Sequence, residues 1–262
     1  MGDFLECVFA QKRKELEEKQ KSIPLSVLLH KVNKDLPSSL FSQSVFQGRG
    51  VIAEIKRASP SKGTLFSGDR TIKLAEIYEK YGASAISLVT DEKYFQGSLK
   101  DLHNVKSCVA LPLLRKDFII DEYQIVESRA AGADAILLIA SLLSSKKLKK
   151  FLDVAEGLGM DSVVEIHTQE ELTDVLNANA KIIGINNRDL RTMKVDLNSS
   201  QNILPLIPDS KIKIVESGIK SEDDLLSFRE FKVNAFLIGE ALVTASNPAD
   251  KLKSFCSILR EK

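Results

Sequence analysis

The 262-residue sequence is poor in the residues that build metal and redox sites, with only three cysteines and three histidines. Cys7, Cys108 and Cys256 are odd in number and far apart, and they have neither the pair spacing of a redox motif nor that of a zinc ligand set, so they read as reduced thiols. His30, His103 and His167 are equally scattered. No H-x-x-H or H-x-x-x-H spacing brings two imidazoles onto one helix face, and no metal is expected. Charge of one sign is lacking as well. Lys and Arg number 37 against 36 Asp and Glu, a formal charge of +1, which argues against a nucleic-acid partner. No apolar run approaches the roughly 20 residues of a membrane span, and the amino terminus is charged too early for a secretory signal. The expected compartment is therefore the cytoplasm, with no membrane partner. What is present is 44% hydrophobic and 28% charged residues, enough for the core of one large α/β domain.

Residues from about Asp3 to Gln20 place Phe4, Leu5, Val8, Phe9, Lys12 and Leu16 on a helical repeat, with dense Lys, Arg and Glu on the other face. Pro24 ends that helix. A second, short one is expected near Leu25 to His30, and Pro37 to Gly50 reads as irregular connection. From Val51 onward, aliphatic and β-branched runs alternate with amphipathic segments. The pattern predicts eight strands: Val51 to Lys56, Ala85 to Val89, Leu111 to Arg115, Ala135 to Ile139, Ser162 to Ile166, Ile182 to Ile185, Ile212 to Val215 and Ala235 to Ile238. It predicts helices near Ile72 to Tyr81, Leu99 to Ser107, Glu122 to Ala131, Ser145 to Glu156, Gln169 to Ala178, Ser199 to Leu206, Glu222 to Phe231 and Ala249 to Leu259. Asp121, Ser144, Thr168 and Ser221 stand at helix starts as caps. Gly82 and Gly132 end helices just before strands. Eight strand–helix units after a helical lead predict an α/β fold, a (β/α)₈ TIM barrel with an N-terminal helical extension, in preference to a doubly wound open sheet. Residues 1–262 read as one barrel domain, with residues 1–50 as the extension.

Chemistry collects at strand ends. In Val51-Ile52-Ala53-Glu54-Ile55-Lys56, period-two alternation puts Glu54 and Lys56 on one face of an otherwise apolar strand. Buried charges are costly unless paired, so the two form either a structural ion pair or a site. Ser59-Pro60-Ser61-Lys62-Gly63 follows as a short polar loop suited to a small anionic ligand. A barrel gathers its active site from the carboxyl ends of its strands. There the third strand offers Arg115, Lys116, Asp117 and Phe118, and the fifth offers Glu165. The sixth runs into Asn186, Asn187, Arg188 and Asp189, the seventh ends Glu216-Ser217-Gly218, and the eighth ends Gly239-Glu240. Any one of these alone reads as a solvated end or a paired interior charge; five strands with the same pattern point to a site. Gly218 and Gly239 follow the strands where barrels commonly cradle a phosphate with backbone N–H groups. Neither has the spacing of a P-loop or a dinucleotide fingerprint, so ATP and NAD are not indicated.

With these residues laid out, the sequence resembles the indole-3-glycerol phosphate synthase family over nearly its whole length. The resemblance rests on Glu54 to Gly63, Glu92-Lys93-Tyr94-Phe95-Gln96-Gly97-Ser98, Leu114 to Asp121, Gly184 to Leu190 and Glu216-Ser217-Gly218-Ile219. The opening helices match an extension that this family packs over the barrel. Met193 stands where phenylalanine is common, and Val215 where a small residue is frequent. The resemblance implies ring closure with decarboxylation and dehydration of 1-(2-carboxyphenylamino)-1-deoxyribulose 5-phosphate, a step of tryptophan biosynthesis, with no metal or organic cofactor. It implies Lys116 as general acid and Glu165 as the acid/base group of dehydration, with Glu54 assisting. Lys56 pairs with substrate anions, and Asn186 and Glu216 orient the substrate and the lysines. Ser59 and Arg188 become carboxylate or hydroxyl contacts, Ser217, Gly218, Gly239 and Glu240 hold the phosphate, and Phe95, Phe118 and Leu190 line the anthranilate ring. The implied partner is a phosphorylated small molecule acting on a monomer or weak homodimer. Two rivals are another phosphosugar isomerase or synthase, whose usual Cys/Asp or Asp/Asp pair is absent, and a silent barrel, which has no reason to keep such costly interior charges.

Overall fold

The computed structural model describes residues 4–32, 38–46, 48, 50–66, 70–189 and 192–260. Eight parallel strands close into a barrel in sequence order: β1 Gly50–Ile55, β2 Ala85–Val89, β3 Leu113–Lys116, β4 Ala135–Ile139, β5 Asp161–Ile166, β6 Ile182–Asn186, β7 Ile212–Glu216 and β8 Ala235–Ile238. β8 returns to β1, Gly50 pairing with Ala235 and Ala53 with Ile238. The strands are apolar along their length because both of their faces are covered. Ile52, Leu114, Val163, Ile182 and Ile214 pack together inside the barrel. Their alternates Val51, Ala53, Leu113, Val164, Ile183 and Val215 pack outward among the helices.

In chain order the helices are α1 Phe4–Ser22, α2 Leu25–Lys31, α3 Leu40–Phe46, α4 Thr71–Lys80, α5 Glu92–Phe95, α6 Leu99–Lys106 and α7 Glu122–Ala130. They continue with α8 Ser145–Gly157, α9 Gln169–Asn177, α10 Asn198–Ile203, α11 Glu222–Leu226, α12 Glu240–Val243 and α13 Pro248–Arg260. The predicted caps are present. Asp121, Thr168 and Ser221 each form a capping box, and the Ser144 side chain accepts the backbone N–H of Lys147.

Three differences from the sequence pattern have physical causes. The stretch read as irregular from Pro37 to Gly50 contains α3; Pro37 itself lies outside the described residues. Phe41 and Val45, one turn apart on α3, are buried in the barrel-interior cluster, and Ser42 N–H donates to Asp161 Oδ2 at 2.8 Å, at the start of β5. That contact is long-range and leaves no trace in local periodicity. The helix expected from Glu222 to Phe231 stops at Leu226. Three-residue turns continue it, Phe228 N–H to Leu225 O and Phe231 N–H to Phe228 O, which bring the Phe228 and Phe231 rings to 6.0 Å. The helix expected to reach Leu206 becomes a 3₁₀ turn at Leu204–Leu206, where Pro205 supplies no N–H.

Candidate active site

Four charged side chains meet at the carboxyl end of the barrel, and all four come from odd-numbered strands: Glu54 on β1, Lys116 on β3, Glu165 on β5 and Glu216 on β7. Alternate strands share one layer of a barrel interior, so period-two pleating delivers these residues to a common level. Lys116 Nζ lies 2.9 Å from both Glu165 Oε2 and Glu216 Oε2. Lys56, just beyond β1, pairs with Glu54 at 2.8 Å. Glycines on β6 and just after β8 leave the necessary room. A Cβ on Gly184 of β6 would stand 2.2 Å from Glu216 Oε1, and one on Gly239 after β8 would stand 2.3 Å from Glu54 Oε1.

Burial opposes the Lys116 ammonium, but Glu165, Glu216 and Glu54 outweigh it and raise its pKa, so the lysine is charged. The two carboxylates are driven apart. Burial would raise Glu165, yet Lys116, then His167 and the Asn186 side chain hold it below the ordinary carboxylate range. For Glu216, burial wins over Lys116, and the neighbouring charge of Glu165 adds to it, so its carboxyl is pushed up. Neighbouring carboxyls separated in this way mark a proton donor and a proton acceptor.

These groups border a cavity of about 370 Å³ whose walls include Phe95, Phe118, Leu137, Ile139 and Leu237. Phe95 and Phe118 face each other at 6.2 Å and 41°. Behind Phe118 stands Phe4 of α1, edge-on at 6.4 Å, and Phe4 also meets Tyr94 at 5.2 Å. What fastens α1 there is Lys12, which is only 4% exposed. Its ammonium lies 2.8 Å from Asp91 and from Asp117, and 3.1 Å from Glu15. Asp117 also takes Arg115 at 3.0 Å and the Thr90 hydroxyl at 2.6 Å, and Arg115 reaches Glu127 of α7 at 2.9 Å. A buried network thus joins α1 to the ends of β2 and β3, next to Lys116.

The family model for indole-3-glycerol phosphate synthase matches residues 5–255. The chain belongs to the indole-3-glycerol phosphate synthase family. An indole-3-glycerol phosphate synthase of Aquifex aeolicus (strain VF5) is 50% identical over 208 residues, 79% of this chain and 80% of that protein. Another, of Dehalococcoides mccartyi (strain CBDB1), is 45% identical over 256 residues, 95% and 98% of the two chains. The solved structure of KGPDC from Streptococcus mutans superposes with a TM-score of 0.64 at 16% identity, covering 82% of this chain and 98% of that one. That likeness shows the barrel fold alone. Indole-3-glycerol phosphate synthase is a carboxy-lyase of tryptophan biosynthesis.

Most residues that the sequence marked for an indole-3-glycerol phosphate synthase site border this cavity: Glu54, Lys56, Lys116, Glu165, Asn186 and Glu216 among the charged and amide groups, and Phe95, Phe118 and Arg188 beside them. Ser217, Gly218, Gly239 and Glu240 close the side formed by β7 and β8. Ser59 does not itself line the cavity: it pairs in a two-strand hairpin, Ala58–Ser59 with Gly63–Thr64, its hydroxyl is buried without a hydrogen-bond partner among the described residues, and Ser61 and Lys62 at the hairpin tip line the cavity. Leu190 lies outside the described residues. Sequence reasoning missed Asp91 and the role of Lys12. The signal for Lys12 was available, since a lysine among apolar residues on one helical face needs a buried partner. Asp91 gave none, because nothing local says that a loop aspartate meets the first helix.

Proposed function

We propose that this member of the indole-3-glycerol phosphate synthase family closes the indole ring with Lys116 as the acid and Glu165 as the acid/base group of dehydration. The observation that carries the reading is the Lys116 ammonium held 2.9 Å from two buried carboxylates at an apolar-walled cavity. Attack by an aromatic carbon on a ribulose carbonyl needs positive charge at the carbonyl oxygen as the bond forms. An ammonium fixed on a strand end supplies both the proton and the field, undiluted by water. Loss of carbon dioxide then restores the aromatic ring. Dehydration needs one group to take a proton from carbon and another to give one to the departing hydroxyl. Glu165, held ionised by Lys116, is suited to the first task, and Glu216, pushed toward its protonated form, keeps a proton within the same cluster.

The other roles follow from position. Lys56 and Arg188 offer cations to the substrate carboxylate, with Glu54 holding Lys56 at 2.8 Å. Asn186 orients Glu165 and the substrate. Phe95 and Phe118 receive the anthranilate ring, and backbone N–H groups of Gly218, Gly239 and Glu240, beside Ser217, receive the phosphate. Residues 1–262 are read as one barrel unit with residues 1–50 as its extension. The proposed setting is the cytoplasm, with a phosphorylated small molecule as the partner and a monomer or weak homodimer as the working form; among the described residues no helix is long and apolar enough to cross a membrane.

The test is to incubate the purified chain with the carboxyphenylamino-deoxyribulose phosphate, without metal or nucleotide, and to follow indole fluorescence. Lys116→Met and Glu165→Gln are each expected to cut turnover about 10²–10⁴-fold, the scale of a lost acid or base. Near-normal turnover in either variant removes that residue from the mechanism, and a folded unsubstituted protein that gives no fluorescence removes the activity.

A further inference from the structure

The proposed reaction does not balance in protons without the solvent. Carbon dioxide leaves from a carboxylate, and the former carbonyl oxygen leaves as water carrying two protons. One of these comes from the carbon that is deprotonated in dehydration; the other must come from bulk, one per turnover. Lys116 spends it, and a route that does not pass through the substrate cavity would let Lys116 be recharged before the product leaves.

A second route is visible behind Glu165. Glu165 Oε2 takes Lys116 Nζ at 2.9 Å, and its other oxygen, Oε1, lies 3.3 Å from His167 Nε2. That nitrogen is buried and makes no hydrogen bond among the described residues. The opposite ring nitrogen, Nδ1, points toward Glu171 Oε2 at 4.0 Å. Glu171 in turn accepts the backbone N–H groups of His167 at 2.6 Å and Thr168 at 3.4 Å, so the turn that carries the imidazole is pinned to the start of α9. His167 borders a separate cavity of about 1260 Å³ between α1 and the loops after β4, β5 and β6, a cavity that Glu165 does not border. Its rim residues Lys14, Thr168 and Lys194 are exposed, which opens it to water. An imidazole can take a proton on one nitrogen and give one from the other, and a turn of the ring resets it.

We propose that His167 is a proton relay that returns one proton per turnover from this second cavity, through Glu165, to Lys116. A solvent proton is taken up at Nδ1 and the Nε2 proton passes to the Glu165 carboxylate at Oε1. Rotation of the protonated carboxyl about Cγ–Cδ brings that same proton to Lys116 Nζ, which restores the ammonium and the carboxylate together, and a turn of the imidazole about Cβ–Cγ brings its remaining proton to the Glu165 side for the next turnover. His167 touches no substrate; it acts through Glu165. The inference rests on the roles proposed above for Lys116 and Glu165.

Pre-steady-state kinetics of His167→Asn separate this role from simple support of Glu165. Lys116 is already charged in the resting enzyme, so the first turnover is expected at the unsubstituted rate, with one indole product per site. Later turnovers are expected to fall about 10-fold or more and to recover when imidazole is added to the buffer. Unchanged steady-state turnover overturns the relay. A burst and a steady state that fall by the same factor overturn it too, because that is the mark of a displaced Glu165. His167→Gln, with its unfolding midpoint checked, repeats the experiment if the asparagine variant does not fold. Absence of turnover in the unsubstituted protein counts against the proposed reaction, whereas normal turnover with an unaffected variant counts against the relay alone.

Discussion

Gly239 and Glu54 occupy contiguous space, and this gives Gly218 and Gly239, the two glycines proposed to receive the phosphate, different tasks. Gly239 has an ordinary negative φ of −117°, so it is not needed for backbone freedom; it is needed because a Cβ would lie 2.3 Å from Glu54 Oε1. Gly218 has φ +91° and follows Ser217 at φ +65°, a left-handed turn that a side chain would strain, and its Cβ would also press on Leu197 and Val195 at 2.7 and 2.8 Å. Gly239→Ala is therefore expected to lower kcat by about 10-fold or more through a displaced Glu54, with a smaller change in KM. Gly218→Ala is expected chiefly to raise KM by loosening the turn proposed to hold the phosphate. Saturation kinetics on the two variants would show the opposite split if the assignment is reversed. At this scale the strand-end residues were legible in the sequence, because alternation alone sends Glu54, Lys116, Glu165 and Glu216 inward. The steric purpose of Gly184 and Gly239 was not, because each glycine answers to a side chain on a neighbouring strand that is distant in sequence.

α1 lies behind the cavity wall and is tied to it by charge and by ring contacts. Its Lys12 is enclosed by Asp91, Asp117 and Glu15, and its Phe4 backs Phe118 and Tyr94. Lys12→Met leaves Asp91 and Asp117 buried with less positive charge, a change that typically costs about 3–5 kcal/mol. Urea unfolding should show that loss, and KM should rise as Phe4 retreats from Phe118; equal stability in the two proteins would mean that α1 docks through its apolar face alone. The helix itself was legible from its 3.6-residue repeat. Its attachment was half legible, since a lysine on the apolar face announces a partner but does not name it. The short helix α3 was invisible for a plainer reason. Seven residues with two buried side chains one turn apart do not make a period, and what holds them is contact with strands distant in sequence, β2, β5 and β7.

Across the whole molecule the eightfold alternation was legible because buried parallel strands and amphipathic helices leave different periodicities, and strand boundaries moved by only one or two residues. The buried network also sets a pH range for stability. Asp117 lies below its ordinary pKa; burial opposes this, but Lys12 and Arg115 overcome it. Its contribution is present above the unfolded value of about 4 and is lost as pH falls further. Lys12 lies above its ordinary value, with burial opposing and Asp117 and Asp91 prevailing, so its contribution is full below about 10.4 and is lost as pH climbs past its raised value. The contribution of the Lys12–Asp117 pair should accordingly be constant between about pH 4 and 10, while Glu216, pushed up to about 8, lowers stability as pH rises through the lower part of that range. Asp117→Asn should lower that plateau and flatten its acid side; an acid slope identical to that of the unsubstituted protein would assign acid unfolding to other carboxylates.

The placing of glycines on β6 and after β8 between the charged ends of the odd strands has a consequence for how this barrel can change. A side chain at Gly184 or Gly239 would press on Glu216 or Glu54, so the positions that set the space between the strands are tied to those that hold the charges. Enlarging the space at Gly184 or Gly239 is not an option, since nothing is smaller than glycine, so a bulkier ligand has to be admitted from the mouth, where Lys62 and Glu240 pair across the opening at 3.3 Å. The rim is where new specificities have room to begin.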